Sequence, residues 1–246
     1  MIKYFWLLLL STPAHSDMVT IANVYYNGEK CPIESITSTE GSYMIMNCSM
    51  GKMVYKYDMK AQSIFISGQD MKNCMPMTKT FLQQMSKMRV QQAQQMAAMK
   101  DQLKSMPAEQ RKMLEASMGS SVAMAIPKIV ATSRTETVKH WECKVFDQMT
   151  NGKKVGEMCL ASAKDVGMDM TKYKKIVDFM EEMAKLSTGQ NQAGDSFKLF
   201  RDGMVSVQGK NFENGKMTLA FELEKVSEVP GRYKAVVFPK NCTAKK

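Results

Sequence analysis

Thioether and thiol sulfur dominate the chemistry this chain has to offer. Among its 246 residues are 26 methionines and six cysteines, with only two histidines, His15 and His140. Methionine sulfur is a soft ligand suited to Cu(I), and Met75/Met77, Met85/Met88 and Met96/Met99 are spaced closely enough to converge on one ion. The same three-four intervals describe the packing face of a helix, and no histidine accompanies them. Packing is the preferred reading and a Met-based copper site a distant alternative. Methionine also adapts its shape to different partners, so a Met-lined helix suits a permissive apolar surface. Met85, Met88, Met96, Met99, Leu103 and Met106 are the candidate ligand-facing residues of such a helix.

The cysteines are Cys31, Cys48, Cys74, Cys143, Cys159 and Cys242. An even number in an exported chain reads as a disulfide framework, and the absence of any C-x-x-C spacing argues against zinc. A cross-strand Cys143–Cys159 bridge is expected in the hairpin that turns at Thr150-Asn151-Gly152-Lys153. A three-residue loop with Gly152 left-handed sets Cys143 directly opposite Cys159, whereas a two-residue Asn151-Gly152 loop puts the sulfurs on opposite faces. The pairing of the other four stays open, with Cys31–Cys48 and Cys74–Cys242 as one arrangement.

Catalytic signatures are missing. The sequence has no G-x-S-x-G elbow, H-E-x-x-H, P-loop or G-x-G-x-x-G. His140 beside Trp141 and Cys143 reads as a structural strand residue, so the chain is not expected to be an enzyme, and no catalytic residue, metal or cofactor is assigned. The net charge of +10 is spread along the chain without a block of like charges. A basic surface could meet anionic lipid, lipopolysaccharide or nucleic acid, but that pattern reads as solvated surface.

Lys3, the apolar run Tyr4 to Leu10 and the small residues Ala14 and Ser16 read as a signal peptide over residues 1–16, leaving Asp17 as the mature N-terminus. That run is far short of the roughly 20 residues a bilayer span needs, and no later stretch supplies one. Residues 17–246 are expected to form a single exported α+β domain in the periplasm of a Gram-negative-type envelope.

The elements that must position these groups follow from pattern. Met18–Tyr26, Tyr43–Cys48, Met53–Tyr57 and Ser63–Ser67 read as short strands of an antiparallel meander. A helical insertion over residues 78–118 carries the Met/Gln-rich sequence, with Thr78 or Thr80 as N-cap, a break at Pro107 and a stop at Gly119. A strand over Lys128–Val138 and the Trp141–Ala161 hairpin come next. A helix opened by Asp169 and running to Leu186 follows, then a polar loop over Ser187–Asp195. The reading ends with strands at Phe197–Phe200, Met204–Val207 and Met217–Val226. In the last, Met217, Leu219, Phe221 and Leu223 alternate with polar or small residues, predicting one buried face.

Met106-Pro107-Ala108-Glu109-Gln110-Arg111, preceded by the Met/Gln helix, resembles the "MPPEQR"-like helix start of a family of exported bacterial proteins, the domain of unknown function numbered 4412. Trp141 to Phe146 with Asn151 to Glu157 is similar to that family's "G-x-x-C-x-x-Y … G-K … E" hairpin. The likeness spans roughly Tyr43 to Val226. Ala108 stands in place of a second proline and Phe146 in place of tyrosine. Pro230-Gly231-Arg232-Tyr233 resembles the closing "P-x-G-Y", followed here by a further tail reaching Cys242. The resemblance implies a fold like that of the periplasmic lipoprotein carriers, a curved antiparallel half barrel around helices and an apolar cavity. It carries over no functional residues.

The expected function is a non-catalytic periplasmic carrier for a hydrophobic small molecule, lipid or lipoprotein acyl chain. The alternative is an envelope structural protein with a filled core and a protein partner. Neither reading involves nucleic acid or an integral membrane segment after signal cleavage.

Overall fold

The computed structural model describes residues 16–26, 28–68, 74–104, 127–188, 193–213, 215–239 and 242. The expected signal peptide, apart from Ser16, and the Pro107 break, second helix and Gly119 stop lie outside the described residues.

Among the described residues, eleven strands form one open antiparallel sheet, bearing out the α+β class. They are β1 (Ser16–Tyr26), β2 (Glu29–Thr37), β3 (Gly41–Cys48), β4 (Gly51–Asp58), β5 (Ser63–Ser67), β6 (Cys74–Thr78), β7 (Lys128–Val138), β8 (Trp141–Thr150), β9 (Lys153–Ser162), β10 (Met204–Glu213) and β11 (Lys216–Pro230). The spatial order is β6-β5-β4-β3-β2-β1-β11-β10-β9-β8-β7. Each half is a simple meander, and the two halves join where the first strand pairs with the last. The helices are α1 (Lys79–Lys104), α2 (Ala163–Val166), α3 (Met170–Thr188) and α4 (Ala193–Arg201).

β2 and β6 were not foreseen, and each contains a proline. Pro76 is tolerated because β6 is an edge strand, where a missing N–H costs no ladder bond. Pro32, the fourth residue of β2, sits opposite Asn23 of β1 and just outside the β2–β3 ladder, which begins at Ile33 and Met46. The strand expected at Phe197–Phe200 is instead part of α4. Phe197 and Phe200 are helical neighbours with ring centroids 6.3 Å apart, and Arg201 reaches Glu181 of α3 at 3.1 Å.

Both foreseen helix starts are capped. Thr78 Oγ1 accepts the Phe81 N–H at 3.2 Å, and Asp169 Oδ1 accepts the Thr171 N–H at 2.8 Å. Lys172, buried in the first turn of α3, donates from Nζ to the Ser16 carbonyl at 2.7 Å and pairs with Glu228 at 3.0 Å. These bonds pin α3 to the seam between β1 and β11.

The hairpin of β8 and β9 corrects the reasoning behind its disulfide. The loop is the two-residue Asn151-Gly152 turn, with φ of 51° and 74°, and Thr150 pairs with Lys153. Beyond it a bulge makes Val155 the extra residue, since Met149 pairs with Lys154 but Gln148 with Gly156. That shift returns Cys143 and Cys159 to the same face, as diagonal neighbours, with Val145 directly opposite Cys159. The other bridges are Cys31–Cys48 and Cys74–Cys242, the arrangement that sequence left open.

Two cores flank the sheet. On the face bearing the helices, Ala22, Trp141, Cys143, Val145, Cys159, Val207 and Leu223 pack with Val166 of α2, and Leu82, Phe179 and Met183 pack over Tyr57, Ile64 and Met77. On the opposite face of β1–β5, the segment after β11 crosses as a strap. Its Tyr233, Val236 and Phe238 cover Val19, Ile36, Tyr43, Ile45 and Val54. The strap is held by the bidentate Arg232–Glu34 pair, with N···O distances of 3.0 and 2.8 Å, and by the Tyr233 N–H to Asp17 Oδ2 at 2.7 Å. At its end stands the Cys74–Cys242 bridge.

Candidate ligand-facing surface

The alternation of side chains across a strand decides which methionines share a face. In β3 and β4, Met44 lies opposite Tyr55 and Met46 opposite Met53; in β5 and β6, Ile66 lies opposite Met75 and Ile64 opposite Met77. Tyr55 pairs with Ile66 and Tyr57 with Ile64, so all of these share the helix-bearing face. The Tyr55 hydroxyl reaches Met53 Sδ at 3.8 Å. Toward the ends of β4 and β5 where α1 and α3 lie, this face is roofed by Leu82, Phe179 and Met183. Farther along, Met44, Met46, Met53, Tyr55 and Ile66 are only partly buried, and Met75 is 53% exposed.

The helix that sequence singled out behaves differently. Among the described side chains of α1, Leu82 is the buried one, Met85 is partly buried and Met88 is 55% exposed. The side chains of Met96, Met99 and Leu103, and all of Met106, lie outside the described residues. Sequence reasoning passed over Met44, Met46 and Met53. Their signal is the strand period on both sides of a short turn, Met44-x-Met46 and Met53-x-Tyr55, which puts all four on one face.

Charged groups cluster elsewhere. A cleft of about 780 Å³ between the β4–β5 turn, α3 and Tyr233 is walled by Lys56, Asp58, Lys60, Lys175, Asp178 and Glu182. Such polar walls are poorly matched to an acyl chain. Among the described residues no group of three or more His, Cys, Asp or Glu side chains is placed to hold a metal ion. His140 is exposed, its ring centroid 4.2 Å from that of Trp141.

Beside the Trp141 core, Glu157 is buried within a network of Arg134, Glu136, Asp147, Lys154 and Lys210. It accepts hydrogen bonds from Arg134 and, at 2.5 Å, from Lys154. Burial pushes its carboxyl pKa up, but these bonds and charges together outweigh burial and hold it below the usual carboxylate range. A depressed native pKa contributes stability above the unfolded carboxylate range, and that contribution is lost as pH falls through the depressed value. Glu157→Gln should therefore cost about 2 kcal/mol at neutral pH, from two weakened charge-assisted bonds. It should also flatten the decline in stability below about pH 4.3, the unperturbed Glu value. Urea melts between neutral and acid pH check this, and a variant whose acid decline matches the parent's would contradict it.

No family model matches the chain, and no curated protein matches it. The chain is similar to a solved structure described as "Structure of PNGF-II in P21 space group", with 11% identity and a TM-score of 0.34 over 88% of this chain. It spans 29% of that protein's length. At that score the likeness carries nothing over to the chain's fold or function.

Proposed function

We propose that the chain is a non-catalytic binding or carrier protein that holds a hydrophobic ligand, a lipid or lipoprotein acyl chain, against the methionine face of its sheet. The observation that carries this reading is the incompletely covered apolar surface of Met44, Met46, Met53, Tyr55 and Ile66. Unbranched thioether side chains repack around flexible alkyl groups at little cost, and a contiguous apolar patch left partly open on a sheet suits ligand binding. An open sheet with helices on one face also leaves room for the half-barrel arrangement that resemblance to the lipoprotein carriers implies. Three disulfides suit export to an oxidising compartment such as the periplasm.

Protein isolated from its native envelope should carry lipid detectable by mass spectrometry, and purified protein should bind a fluorescent fatty acid. Replacing Met46 and Met53 by asparagine removes about 1 to 2 kcal/mol of apolar contact and should weaken binding roughly tenfold. Neither side chain is fully buried, so circular dichroism should show the fold retained. Absence of both lipid and fatty-acid binding would overturn the proposal. Reproducible cross-linking to an envelope protein would then favour the structural alternative.

A further inference from the structure

The two ends of the sheet differ in chemistry. At one end lie the helix starts, the β2–β3 and β4–β5 turns and the charged cleft, where Glu40, Asp58 and Asp178 mix with Lys60 and Lys175. At the other end the chain presents hairpin tips: β1–β2, β3–β4, β8–β9 and β10–β11. Large apolar side chains stand exposed there. Tyr26 is 59% exposed and Met50 71%, while Phe212 and Met217, directly opposite one another, are 45% and 36% exposed. Lys30, Lys52, Lys128, Lys153 and Lys216 lie at the same end, all exposed and none with an ion-pair partner among the described residues.

Two carboxylates at this end, Glu29 and Asp147, are already engaged. Glu29 accepts from the Ser49 N–H at 2.5 Å and the Ser49 hydroxyl at 2.6 Å, which ties the β1–β2 and β3–β4 tips together. Asp147 is paired with Lys154 at 2.8 Å. The tips are staggered. Val24 pairs with Phe221, five residues after β11 begins at Lys216, and β1 runs only two residues further to Tyr26, so the β10–β11 hairpin overhangs the β1–β2 turn by three residues, roughly 10 Å at about 3.4 Å per residue.

We propose that this end of the sheet docks on an anionic lipid bilayer, with Tyr26, Met50, Phe212 and Met217 entering the interface and the five lysines meeting the headgroups. Aromatic residues favour the membrane interface, and basic residues beside shallowly inserted apolar ones add electrostatic attraction to anionic lipid. A folded protein partner fits this end less well. Stable protein interfaces bury about 800 Å² per partner as a contiguous surface, whereas staggered separate tips suit a deformable one. The exposed methionine Met75 lies at the same end of the methionine face, so a docked chain would turn that face's open end toward the lipid. Only this last point rests on the carrier reading.

Sedimentation of the full chain with vesicles tests the docking. Binding is expected to phosphatidylcholine vesicles containing phosphatidylglycerol, with release by salt and little binding to phosphatidylcholine alone. The charge-preserving variant Tyr26→Ser, Met50→Ser, Phe212→Ser, Met217→Ser should lose at least about tenfold in vesicle affinity. So should glutamine replacement of the five lysines, while replacing Lys60, Lys164 and Lys175 should change little. The Met46→Asn, Met53→Asn variant should keep vesicle binding even where fatty-acid binding falls, which separates the two proposals. No binding to the anionic vesicles would overturn the inference. Undiminished binding by the serine variant would do the same, reducing the effect to adsorption of a basic protein, as would an equal loss from the lysines at the helical end.

Discussion

Replacing Cys74 and Cys242 together by serine should lower unfolding free energy by about 5 kcal/mol, the largest loss of any of the three cysteine pairs. The bridge closes a sequence separation of 168 residues, against 17 for Cys31–Cys48 and 16 for Cys143–Cys159. A cross-link restricts the unfolded chain more as the closed loop lengthens. On that chain-entropy account the long loop gives about 5 kcal/mol and each short one about 3. Local packing points the same way without dictating the size. The strap that ends at Cys242 keeps its Arg232–Glu34 pair, its Tyr233–Asp17 bond and a Tyr43–Tyr233 ring contact at 4.8 Å. Its native position should survive the substitution, so the loss belongs to the unfolded state. Guanidinium unfolding of the three double-serine variants measures the order directly. A Cys74/Cys242 variant no less stable than the Cys143/Cys159 variant would show that loop length does not govern these bridges.

Local sequence pattern exposed most of the strands because a half-buried antiparallel sheet writes a period of two into each of them. It also exposed α3, where Asp169 supplies the cap and Val177 and Met183 are buried. It failed where a local rule met a tertiary exception. Pro76 hid an edge strand, Pro32 hid an interior one, and the apolar Phe197–Phe200 run is a helical face docked through Arg201 to Glu181. The Cys143–Cys159 bridge was foreseen through a loop of the wrong length. A two-residue turn and a bulge together restore the shared face that a three-residue turn would have given, and no single residue in the hairpin announces the bulge.

The candidate surface was only partly legible for a related reason. The abundance of methionine in the helical insertion drew attention to Met85 and Met88, yet Met88 stands in solvent and α1 enters the core through Leu82. The methionines that share a sheet face come from three strands, and their meeting depends on the registers of β3–β4 and β5–β6. Spacing within one strand reveals which residues share its sides. It does not reveal which side the helices will cover.

Leu223→Ala should cost about 3 to 4 kcal/mol, whereas Met217→Ala in the same strand should cost less than about 0.5 kcal/mol. Read by alternation alone, both residues belong to the buried face of β11. The structure interposes two bulges. Phe221 pairs with Gly209 but Leu219 with Lys210, which makes Ala220 extra on one side. Ala22 pairs with Leu223 but Ile21 with Lys225, which makes Glu224 extra on the other. Leu223, 1% exposed, therefore sits at the seam of the two half-sheets beneath Trp141, Val207 and Ala22, where a truncated side chain leaves a cavity that strands paired on both sides resist closing. Met217, 36% exposed near a hairpin tip, has solvent to fill its place. Equal losses at the two positions in urea melts would mean that β11 keeps an unbroken alternation between them, and the β10–β11 register with its bulge at Ala220 would then be wrong.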